Sequence, residues 1–126
     1  FLAGALSLSA APQRTSKRKI ACKTPENAAS CYWTHGRLAA YNGTPTMRIW
    51  KIGTKRILAI HSGPGFKLGD DQENLDPELP ENVERALKPF QNEVFADFEI
   101  CPLEPEHPGV MQRACIESAK NIFVKH

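Results

Sequence analysis

Residues 31–60, CYWTHGRLAAYNGTPTMRIWKIGTKRILAI, read as three successive antiparallel strands around which the rest of the chain is organised. Asn42-Gly43 tolerates the positive φ angles of a type I′ turn and separates a run ending at Tyr41 from the run Met47-Arg48-Ile49-Trp50. Thr44-Pro45 follows at once, and because proline cannot donate to a ladder, the connection is expected to exceed two residues. A second turn falls at Gly53-Thr54. Arg56-Ile57-Leu58-Ala59-Ile60 then supplies a third strand, which the breakers Gly63-Pro64-Gly65 end.

Upstream of this sheet, residues 1–11, FLAGALSLSAA, read as the end of a signal-peptide apolar region followed by small residues suited to cleavage. A polar, basic tail with Arg14, Lys17, Arg18 and Lys19 comes next, and a charge run of this kind is expected to be solvated. The expected division is therefore a signal remnant and flexible tail over 1–18 and one β-barrel-like domain over 19–126. No other apolar run approaches the roughly 20 residues that a spanning helix needs. A periplasmic or secreted location makes the even cysteine count meaningful: Cys22, Cys31, Cys101 and Cys115 are expected to form two disulfides. Zinc is the competing reading, with His35 four residues after Cys31 and His107 between Cys101 and Cys115. The chain lacks a C-x-x-C pair, so no metal is expected.

Charge is divided by position. Residues 1–67 hold eleven Lys and Arg against the single acid Glu26, a net of +10, whereas residues 68–126 hold five against thirteen acids, a net of −8. The overall +2 argues against a specific nucleic-acid partner, which would leave the whole domain basic.

From His61 to Val94 the chain turns Gly-, Pro- and acid-rich and forms its long connection. Gly63-Pro64-Gly65-Phe66-Lys67 lacks the G-x-x-x-x-G-K-[ST] spacing of a phosphate loop and reads as a turn, and no other cofactor motif is present. The acids at 70, 71, 73 and 76 match no EF-hand spacing and read as a solvated loop. A short amphipathic helix is expected over 80–88, with Pro80 first, acids in the opening turn, Val83 and Leu87 four apart, and Lys88 at the end. Alternation over 94–101 then predicts a fourth strand with Phe98 and Ile100 on one face. The prolines of 102–109 break it, 110–116 begins a fifth strand, and 122–124 is a last apolar patch.

Three strands, a helix and two strands make a mainly β fold whose element order resembles the oligonucleotide/oligosaccharide-binding (OB) fold, a five-stranded barrel with one short helix between strands 3 and 4. A β-sandwich fragment or another small barrel is the alternative. Residues 31–60 and 95–119 also resemble small exported bacterial proteins of unknown function, a resemblance that brings no catalytic residues. The OB resemblance implies that Cys31, at the start of strand 1, meets Cys101 at the end of strand 4, leaving Cys22 for Cys115. Local pairing of Cys22 with Cys31 and Cys101 with Cys115 stays open.

The same resemblance implies that strands 2 and 3 and their neighbouring loops form a binding surface. Period-two alternation puts Trp33, His35 and Arg37 of strand 1 on one face with Arg48 and Trp50 of strand 2. Such a face can stack on sugars and hold an acidic glycan or another anionic ligand. The competing expectation makes both tryptophans core, with the arginines reaching past them into water. No G-x-S-x-G, H-E-x-x-H or Cys/His signature occurs, and Asp97 and Glu99 read as solvent-facing acids, so no catalytic residue is expected. The functional expectation is a non-catalytic ligand-binding or protein-interaction module. A structural part of a cell-envelope assembly, with an envelope protein as partner, is the alternative, and a hydrolase-type enzyme comes last.

Overall fold

The computed structural model describes residues 18–126, so the expected signal remnant and most of the basic tail lie outside the described residues. Five strands, β1 (Tyr32–Ala40), β2 (Met47–Lys51), β3 (Ile57–Ile60), β4 (Glu93–Pro102) and β5 (Gln112–Lys125), close into a barrel in the order β1-β2-β3-β5-β4. Neighbours are antiparallel except β3 and β5, which pair in parallel through Leu58↔Gln112, Ala59↔Arg113 and Ile60↔Ala114. The β1–β2 loop spans 41–46 and turns at Gly43, whose φ of 105° is open to glycine and costly for other residues.

Alternation places the core. Along β4, Val94, Ala96, Phe98 and Ile100 are fully buried while Phe95, Asp97 and Glu99 turn outward, and Leu38, Met47, Ile49, Leu58 and Ile60 supply the facing walls. Each such aliphatic or aromatic side chain contributes roughly 1.5–3 kcal/mol by leaving water. Gly36 is dictated by this packing: a Cβ there would stand 2.6 Å from Ile49 Cγ2 and 3.3 Å from Phe98 Cδ2. A glycine in mid-strand thus lets the large Phe98 ring sit directly against β1.

The helix expected over 80–88 forms as α2 (Glu81–Ala86), with Pro80 as its N-cap residue, and it adds Val83 to the core together with the flanking Leu79 and Leu87. A second helix, α1 (Asp71–Leu75), stands where the sequence reads as a solvated acidic loop; Asp70 caps it by accepting from the Glu73 amide. The fifth strand is also longer than expected, because the two apolar patches at 110–116 and 122–124 belong to one strand of 14 residues.

Two disulfides join the N-terminal segment and β1 to β4 and β5. Cys22 bonds Cys115 and Cys31 bonds Cys101, the pairing that the OB-like topology implies, and no cysteine is free. The sulfurs that a zinc ion would need are therefore paired with each other. Arg18, in the basic cluster, is not a solvated charge: its guanidinium donates to the carbonyls of Ile20, Ser62 and Ile116 and so ties the entering chain to the end of β3 and to β5. Among the described residues no helix is long and apolar enough to cross a membrane.

Candidate functional site

The five residues singled out from the sequence do share the barrel's outer face, and neither tryptophan is core. Trp33 is 47% exposed and Trp50 half-buried, while the opposite parity of the same strands carries Leu38, Met47 and Ile49 inward. The face nevertheless splits into two groups, since Trp33 and Arg37 lie four residues apart along β1, roughly 13 Å.

Arg37, Arg48 and Trp50 come together. Arg37 is the cross-strand partner of Trp50, and its guanidinium carbon lies 5.5 Å from the indole centroid. Its Nη2 donates to the Tyr41 hydroxyl at 2.6 Å, and Arg48 in turn stands 5.0 Å above the Tyr41 ring. The result is a ladder of alternating guanidinium and aromatic groups, Trp50, Arg37, Tyr41 and Arg48. Its members are fixed from behind: the Trp50 indole N–H donates to the Thr54 carbonyl at 2.8 Å, and Arg48 Nε donates to the Pro45 carbonyl at 3.1 Å.

Charge is left over on this ladder. Several other cations among the described residues meet carboxylates closely: Lys23 with Glu99 at 2.8 Å, Arg56 with Glu106 at 2.7 Å, and Arg113 with Glu104 at 3.3 Å. Arg48 has no such partner among the described residues. Arg37 has only Glu93, at 3.9 Å, and its Nε is buried without a hydrogen-bond acceptor. Guanidiniums set beside aromatic faces are suited to a planar anion.

Trp33 and His35 form the second group with β4 and β5, and their polar neighbours are already satisfied. Lys120 lies 4.4 Å over the Trp33 ring. His35 Nδ1 is 3.0 Å from Asp97 Oδ1, and Asn121 donates to the other oxygen at 2.8 Å. The hydrogen bond from Asn121, followed by that from His35, holds the Asp97 carboxyl below its ordinary pKa, and Lys23 followed by Ser118 does the same for Glu99. Both acids are thus held ionised and engaged, the reverse of what a general acid needs.

Several residues on this face escaped the sequence reading. Tyr41 lies just past β1, beyond the strand alternation. Phe95 shares the outward parity of Asp97 and Glu99, a signal that was available. It is the register partner of both Arg37 and Phe123, and its ring lies 6.3 Å from that of Phe123. Beside the ladder runs a groove of about 460 Å³ lined by Ala39, Ala40, Phe90, Gln91, Asn92, Glu93, Lys125 and His126.

A buried polar trio was also unforeseen. His61, Ser62 and Glu73 are 3%, 1% and 7% exposed. Glu73 accepts from the Ser62 amide and hydroxyl, both at 2.6 Å, and its Oε2 lies 3.2 Å from His61 Nδ1. Serine, histidine and an acid suggest a triad, but here both side chains address the carboxylate, and the Ser62 hydroxyl also accepts from the Glu78 amide. The trio anchors α1 to the end of β3. Burial pushes the His61 pKa below its ordinary value, against the opposing pull of Glu73.

No protein-family model, curated protein or solved structure matches the chain.

Proposed function

We propose that this chain is an exported, non-catalytic binding module of the OB type whose β1–β2 outer face takes an anionic ligand, an acidic glycan. The strand order, the parallel β3–β5 pairing and the closure of β1 on β4 support the OB reading. Two disulfides support an oxidising compartment. The observation that carries the functional reading is the pair Arg37 and Arg48. Arg56, Arg85 and Arg113 each meet an acid within 3.3 Å, whereas Arg37 has only Glu93 at 3.9 Å and Arg48 has no carboxylate partner among the described residues; these two are set instead against Trp50 and Tyr41. A ring stacks on the apolar face of a sugar while the adjacent fork of donors holds its carboxylate.

The test is a titration of the purified protein with a panel of acidic glycans and single-stranded nucleic acids, for wild type and Arg48→Ala. Wild type is expected to bind at least one acidic glycan, and the variant to bind it about tenfold more weakly, the loss of one charge-assisted hydrogen bond, with an unchanged melting temperature. Binding that survives Arg48→Ala undiminished, or a wild type that binds no member of the panel, overturns the reading.

A further inference from the structure

The ladder opens into a concavity. Ala39 is the cross-strand neighbour of Arg48 and, with Ala40, lines the groove that Phe90, Glu93 and Lys125 also line. Continuing the β1–β4 register one step past Leu38↔Val94, a path across the strands meets Arg48 on β2, Ala39 on β1, Glu93 on β4 and Lys125 on β5. Arg37 Nη1 looks onto the same path, 3.9 Å from Glu93 Oε2. Charge therefore alternates along the groove: two guanidiniums, a carboxylate, an ammonium. The strands carrying Arg37 and Lys125 lie two spacings apart, about 10 Å, roughly the length of a disaccharide. A ligand carboxylate is attracted at either end and repelled in the middle, where Glu93 is an acceptor suited to sugar hydroxyls.

Phe90 adds a wall. It is 66% exposed and held at a φ of 65°, a conformation that an aromatic residue rarely adopts. Asn92, 6% exposed, maintains that loop by accepting from the Lys88 amide at 2.8 Å and donating to the Ala86 carbonyl at 3.0 Å. The ring so presented offers a second stacking platform beyond Trp50.

We propose that the groove extends the ladder into a site for a glycan in which acidic and neutral sugars alternate, the neutral unit lying over Glu93. This inference rests on the anionic-ligand reading above. It is tested by calorimetric titration with three hexasaccharides: hyaluronan, in which every second sugar is acidic, oligogalacturonate, in which every sugar is acidic, and neutral chitohexaose. Hyaluronan is expected to bind about threefold or more tightly than oligogalacturonate, the size of one exposed charge repulsion. Glu93→Gln is expected to narrow that gap by improving oligogalacturonate alone, and Phe90→Ala to weaken hyaluronan. If oligogalacturonate binds wild type as well as hyaluronan does, or if Glu93→Gln improves both equally, alternation is wrong while the anionic-ligand reading stands. Chitohexaose binding as well as hyaluronan, or no binding by any of the three, overturns both.

Discussion

Gly36 shows how far a single residue can be read. Its alternation with Leu38 puts it on the inward face of β1, but the reason it is glycine lies in residues distant in sequence, Ile49 and Phe98, whose side chains occupy the space of a Cβ. Gly36→Ala is expected to lose about 1–3 kcal/mol of stability in urea unfolding, as overpacked cores do; an unchanged midpoint would mean that Phe98 has room to move. Trp50 makes the complementary case. Period two sorted Arg37, Arg48 and Trp50 onto one face, yet alternation alone does not say which face is covered, so core and surface tryptophans both remained open. The structure puts Trp50 outside and half-buried. Trp50→Ala should therefore fall well short of the roughly 3–5 kcal/mol that a core aromatic costs, while removing most of the acidic-glycan affinity that the proposed function requires. A melting curve run beside a binding titration separates the two effects.

At the scale of elements, β5 was read as two pieces for a physical reason. Its pairing with β4 shifts register between Glu99 and Ile100 and again between Phe95 and Asp97, and each bulge reverses which parity faces the core. Ala114 and Ile116 point inward before the first shift, Ala119 packs on the core between the two, and Ile122 and Val124 pack on it after the second, so the inward parity reverses in the middle and no single alternation runs through the strand. Helix α1 was illegible for another reason: its buried residue is Glu73 and its leucine, Leu75, is 60% exposed, the inverse of an amphipathic signature. What fixes α1 is the His61–Ser62–Glu73 trio, which has a pH signature. Burial lowers the His61 pKa in the fold, so below about pH 6.5 the unfolded chain takes up a proton that the folded chain does not. The stabilisation is complete above that range and is lost as pH falls through it, at most about 1.4 kcal/mol per pH unit for one proton. Asp97 and Glu99, whose pKa values are lowered, lose their contributions only further down, in the carboxylate range. Urea melts of wild type and His61→Gln between about pH 5 and 8 should show a steeper acid loss in wild type; parallel profiles would contradict this.

For the whole molecule, the meander of residues 31–60 and the order of elements were enough to imply barrel closure and, from that, the long-range disulfides. Cys101 and Cys115 are cross-strand neighbours, yet each bonds a cysteine from the N-terminal part of the chain, at sequence separations of 70 and 93. Non-reducing peptide mapping should recover Cys22 with Cys115 and Cys31 with Cys101. Replacing Cys31 and Cys101 together by serine should cost about 2–4 kcal/mol, because the bridge constrains a long loop in the unfolded chain. The uneven charge along the chain is legible in the fold as well: Lys23 of the basic half meets Glu99 of the acidic half, and Arg56 meets Glu106. Arg37 and Arg48 are instead set against Trp50 and Tyr41, an arrangement that only the three-dimensional pairing reveals. The central claim is that these two guanidiniums, with Trp50 and Tyr41, form a binding face. The most direct measurement is an NMR titration of isotope-labelled protein with a hyaluronan oligosaccharide. The account predicts shifts concentrated at Arg37, Tyr41, Arg48 and the Trp50 indole N–H, with little change at Trp33 and His35. Shifts centred on Trp33, His35 and Lys120, or an unmoved spectrum at saturating oligosaccharide, would contradict it.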